Sequence, residues 1–116
     1  MEEKKRVEPI VLEYEDGKTY TLEFSRETVQ MAERAGFSRD DFGDKLMVRV
    51  PQLFYYAFMM HHPTVSKEKT DQILFEDLGG VSEALSNRLT ELFNAPYLYL
   101  FNETGEVKNP KLTVRL

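Results

Sequence analysis

Ile10-Val11-Leu12-Glu13-Tyr14-Glu15-Asp16-Gly17-Lys18-Thr19-Tyr20-Thr21-Leu22-Glu23-Phe24 alternates apolar and polar residues on both sides of an Asp-Gly pair, the period-2 signature of two strands joined by a turn. A two-residue Asp16-Gly17 turn would set Leu12 opposite Thr21 and Glu13 opposite Tyr20, apolar against polar. A three-residue Glu15-Asp16-Gly17 loop, a type I turn closed by Gly17 in the left-handed region, instead pairs Tyr14 with Lys18, Leu12 with Tyr20 and Ile10 with Leu22. This second register gives the hairpin one apolar face. Two strands alone are marginal in water, so helices or a third strand must cover that face.

Outward from the hairpin, Ser25 suits the N-cap of a helix over 26–35, with Val29, Ala32 and Ala35 inward and Gly36 just past its end. Residues 38–45 read as a turn or a single helical turn, because Gly43 interrupts what Ser38-Arg39-Asp40-Asp41 begins. The main helix spans 48–62; Pro51 falls in its first turn, where a missing N–H costs little, and Pro63 ends it. Ser66 caps a helix over 67–78 with Thr70, Ile73, Leu74 and Leu78 on one face, and Gly79-Gly80 stops it. A further helix over 82–94 carries Leu85, Leu89, Leu92 and Phe93 at amphipathic spacing, and Pro96 opens a short turn over 96–101. Residues 111–116 alternate again, as an edge strand or as a segment that becomes a strand only on a partner.

The expected fold is therefore α+β: an N-terminal β-hairpin (10–24) packed on a small bundle of four to five helices, with a candidate C-terminal edge strand. One domain, 10–101, follows a flexible 1–9 and precedes a tail, 102–116. A chain of 116 residues fits one domain that buries roughly 65% of its unfolded surface. Its 41% hydrophobic and 30% charged composition is that of an ordinary soluble globule.

The net charge of -5 repels a polyanion, which argues against nucleic acid as a partner. The absence of cysteine excludes disulfides, thiolate zinc sites and thiol nucleophiles, and suits a reducing cytoplasm. No apolar run of signal-peptide or membrane-spanning length is visible, so neither export nor a membrane partner is expected.

No residue set announces catalysis or a cofactor, and the expectation is a protein that is not an enzyme. His61 and His62 are adjacent and point about 100° apart on a helix, unlike an i, i+4 metal clamp. Asp40, Asp41 and Asp44 lack the ligand spacing of a calcium loop. No serine sits in a nucleophile elbow, and no phosphate-binding glycine loop occurs. The unusual feature is the central segment Leu53-Phe54-Tyr55-Tyr56-Ala57-Phe58-Met59-Met60, apolar or aromatic around its whole circumference. It reads either as a helix buried through the middle of the domain or as one that lends part of itself to a client or to self-association. On the second reading Leu53, Phe54, Tyr55, Tyr56, Phe58, Met59 and Met60 are the candidate protein-binding residues.

Three stretches carry a resemblance. They are 14–24 with Ser25-Arg26-Glu27-Thr28-Val29, then Pro51-Gln52-Leu53-Phe54-Tyr55-Tyr56-Ala57-Phe58 with His61-His62, and the closing Leu92-Phe93-Asn94-Ala95-Pro96. Over 10–101 the chain resembles the tail assembly chaperones of long-tailed phages and prophages of Gram-positive bacteria. The resemblance implies a non-catalytic protein of the bacterial host cytoplasm that binds and solubilises the tape-measure protein and helps recruit tail-tube subunits. It implies no cofactor and leaves a homo-oligomer open. The alternative is a minor structural virion protein of the tail or the head-to-tail junction. A small enzyme or metal protein centred on His61, Asp40 and Asp44 is the weakest reading.

Overall fold

The hairpin forms in the three-residue-loop register. In a computed structural model that describes residues 7–38, 45–101 and 104–116, strands β1 (Ile10–Glu13) and β2 (Thr19–Leu22) pair Ile10 with Leu22 and Leu12 with Tyr20. Tyr14 N–H donates to the Lys18 carbonyl (2.8 Å) and Gly17 N–H to the Tyr14 carbonyl (2.9 Å). Gly17 has φ +94°, the left-handed conformation that glycine supplies without a Cβ clash. Residues 1–6 of the expected flexible terminus lie outside the described residues. Val7 packs against the core, and Arg88 donates to the Glu8 carbonyl, so residues 7 and 8 of that expected flexible segment are tied to the domain.

Helix α1 (Arg26–Arg34) opens with a reciprocal cap: Thr28 N–H donates to Ser25 Oγ (3.2 Å) and Ser25 N–H to Thr28 Oγ1 (2.9 Å). It closes with Gly36 N–H on the Glu33 carbonyl and Phe37 N–H on the Ala32 carbonyl, with Gly36 at φ +98°. Val29 and Ala32 are buried as expected, but Ala35, expected inward, is exposed. Its place is taken by Phe37, which the cap turns into the core against Phe93, 4.9 Å between ring centres.

The main helix, α2 (Leu46–Phe58), starts two residues before the expected 48 and ends four before the expected 62. Pro51 therefore stands in the second turn, where its lack of an N–H deprives the Met47 carbonyl of its helical donor. At the other end Met59 N–H tightens onto the Tyr56 carbonyl (3.2 Å), and the α-helix gives way to turns ahead of Pro63. The 39–44 part of the expected 38–45 turn lies outside the described residues.

Ser66 and Ser82 cap α3 (Lys67–Gln72) and α4 (Glu83–Asn94) through the N–H groups of Lys69 (3.0 Å) and Leu85 (3.1 Å). The single helix expected over 67–78 is instead α3 followed by a π-helical turn, Ile73–Asp77, where Leu78 N–H reaches back to Ile73. The widened turn keeps Ile73 and Leu74 buried while Phe75 and Leu78 face solvent, which corrects the inward placement of Leu78. A 3₁₀ turn, Ala95–Tyr99, follows α4. The edge strand expected at 111–116 does not form: the segment pairs with neither β-strand, and Leu112 and Val114 are 58% and 60% exposed.

The core gathers on α2, which touches β2, α1, α3 and α4. Phe54, Phe58 and Phe93 are fully buried, each contributing about 1.5–3 kcal/mol through the water they leave. Phe58 meets the Phe54 ring at 5.1 Å and the Tyr20 ring at 5.4 Å, edge to face. The hairpin is also tied to the π-helical turn, because Tyr14 OH donates to Asp77.

Two consequences are measurable. Gly36→Ala meets no steric obstacle closer than 3.7 Å, so its cost is backbone strain alone, about 1–2 kcal/mol, read as a lowered urea midpoint. Ionising Tyr14 would break its bond to Asp77 and set two negative charges together, and with some burial this pushes the phenol up to about 12. In a spectroscopic titration Tyr14 should ionise near that pH, and Asp77→Ala should bring it back toward the ordinary tyrosine value.

Candidate protein-binding surface

The seven residues singled out in the central segment divide by depth. Leu53, Phe54, Phe58 and Met59 are 0–6% exposed, so as folded they are core and cannot contact a client. Tyr55 and Tyr56 are half-buried, their rings 5.1 Å apart, and Met60 is 40% exposed. The structure therefore brings only Tyr55, Tyr56 and Met60 to the surface. The physical reason is that four elements pack round the middle of α2 and leave its N-terminal turn uncovered.

That turn carries the apolar surface missed in the sequence. Leu46, Met47 and Val48 are 54%, 81% and 62% exposed, and Phe75, turned out by the π-helical geometry, is 51% exposed. Met47, Val48, Pro51 and Phe75 line one shallow groove of about 360 Å³, with Lys67 and Asp71 on its rim, paired at 2.6 Å. Methionine and phenylalanine exposed side by side offer an adaptable apolar contact. The available signal was the apolar run Leu46-Met47-Val48 ahead of Pro51, which a helix start at 48 conceals.

A second and larger groove, about 630 Å³, runs between α1 and the 3₁₀ turn. Phe24, Val29, Leu92 and Tyr97 line it, and Glu23, Glu27 and Glu33 also border it. The 3₁₀ turn ends on the exposed Tyr99 and leads directly into the exposed Leu100 and Phe101.

The histidines serve structure. His61 Nε2 lies 2.9 Å from the buried Glu23 carboxylate, while Thr21 N–H donates to His62 Nε2 at 2.9 Å. An acceptor at Nε2 makes His62 the neutral tautomer with its proton on Nδ1. Among the described residues no group of three or more histidine, aspartate or glutamate side chains could hold a metal ion. Asp40, Asp41 and Asp44 lie outside the described residues. No described helix is long and apolar enough to cross a membrane.

A family model described as a domain of unknown function (DUF5055) matches residues 5–116. No curated protein and no solved structure matches the chain.

Burial, and then the neighbouring His61, hold His62 below the usual histidine value of 6.5. The unfolded chain therefore takes up the proton first, and the stability contributed by neutral His62 is present above pH 6.5 and lost as pH falls through the lowered value. Unfolding midpoints measured downward from pH 7 should fall more steeply for the wild type than for His62→Gln.

Proposed function

We propose that this chain, which belongs to the DUF5055 family, is a non-catalytic assembly chaperone for an apolar helical client. In the phage setting that its sequence resembles, the client is the tape-measure protein, and tail-tube subunits are recruited to the same complex. The observation that carries this reading is the exposed Met47, Val48 and Phe75 beside Pro51. A client helix presents apolar residues at i, i+3 or i+4 and i+7, and a shallow apolar groove walled by flexible side chains accepts such a stripe without demanding one sequence. The aromatic middle of α2 contributes by holding that groove on a rigid core, and Tyr55, Tyr56 and Met60 supply further contact toward the other end of the helix.

Co-expression of the tape-measure protein tests the reading. The wild type should keep it soluble, whereas Met47→Ser combined with Phe75→Ser should lose most of that effect while the circular dichroism melt is retained. Unchanged solubilisation by the double variant would remove the groove from the mechanism. Peptide mass spectrometry should find the protein abundant in lysate of phage-producing cells and missing from purified virions; a fixed copy number in the particle would make it a minor virion component instead.

A further inference from the structure

We propose that residues 112–116 of one copy add as a third strand to the outer edge of β1 in a second copy. Among the described residues the β1 edge is open, whereas the β2 edge is partly closed. On the β2 side, Thr21 N–H is taken by His62 and Glu23 N–H by the Ala57 carbonyl (2.9 Å). Because Thr21 N–H points away from β1, Val11 and Thr21 form the non-hydrogen-bonded pair of the ladder. The backbone groups of Val11 and, two residues on, Glu13 then point outward, and no described residue pairs with them.

The face of the sheet is unfinished on the same side. Tyr20 and Leu22 of β2 are 8% and 0% exposed, while their partners Leu12 and Ile10 on β1 are only half-buried. An added strand with Leu112, Val114 and Leu116 on the inner face would cover Ile10 and Leu12. The alternation then sets Lys111, Thr113 and Arg115 on the outer face beside Val11 and the exposed Glu13. Two cations meet an acidic strand flanked by Glu15 and Asp16, and none of these side chains has a partner in the ion pairs of the described residues.

Among the described residues of one chain both halves stay unmet. A turn closed by Leu112 N–H on the Asn109 carbonyl (3.0 Å) precedes the segment, and all of 104–116 is exposed. Each copy therefore carries one donor strand and one acceptor edge, a head-to-tail arrangement that closes into a ring or grows as a filament. Pro9 offers no N–H to the edge, so the docking strand engages a short stretch around Val11 and Glu13.

Two substitutions disable one half each. Val11→Pro removes an edge N–H that the hairpin ladder does not use, and Val114→Pro breaks the donor strand in an exposed segment that supports no fold. Sedimentation velocity over a concentration series should show the wild type as species larger than a monomer and each variant alone as a monomer. An equimolar mixture of the two should regain dimers, since it restores one intact donor and one intact edge. Three results would each overturn the proposal: a wild type monomeric at every concentration, as when the segment covers its own edge; oligomers that survive Val114→Pro, whose melt must match the wild type; or a mixture that stays monomeric.

Discussion

Glu23 N–H donates to the carbonyl of Ala57, and through that bond the end of a strand satisfies the end of a helix. The last carbonyls of α2 have no donor within the helix, and an edge strand has no acceptor beyond its ladder. Each shortage meets the other here, and two residues earlier along β2 the Thr21 N–H is taken by the His62 side chain. The hairpin is thereby laid across the C-terminal half of α2, with Tyr20 against both Phe58 and His62. One edge of the sheet becomes the interior and the other the exterior, and both proposed interaction surfaces follow from which side was closed.

The same contact decides which part of an apolar helix is free. A helix greasy on every side needs cover on every side, and the described residues supply a hairpin and three other α-helices with which to provide it. They gather where β2 anchors, around 53–59, and fall short of the first turn. Burial and exposure along α2 are thus two results of one placement. The aromatic middle builds a rigid support, and the part left over, joined by Phe75, has the chemistry of a contact surface.

The local parts of this fold were legible because each rests on neighbouring residues. Strand parity fixed the hairpin register, and the hydroxyls of Ser25 and Ser66 marked two helix starts that the structure reproduces, while Ser82, read as the first residue of its helix, is that helix's cap. The boundaries of α2 were not, because Pro51 suits a first turn so well that a start two residues earlier, with the proline one turn deeper, is hidden. The π-helical turn was equally hidden: Ile73-Leu74-Phe75 fits an ordinary helix, and only tertiary packing decides that two of the three go in. The candidate site inherited both gaps. Circumferential apolarity pointed to α2, but telling its buried middle from its exposed beginning requires knowing what packs against it.

Pro51 gives the first turn of α2 a degree of independence. With no hydrogen bond from position 51 to Met47, the turn is held to the rest of the helix by fewer backbone links than its neighbours are. Local opening then needs less free energy there than in the core beyond it, and amides before the proline exchange with solvent on a separate schedule from those around Phe54 and Phe58. The methionine of the groove, Met47, thus rides on a small subunit of stability of its own. The surface can adjust its tilt to what it meets while the aromatic interior that carries it stays closed.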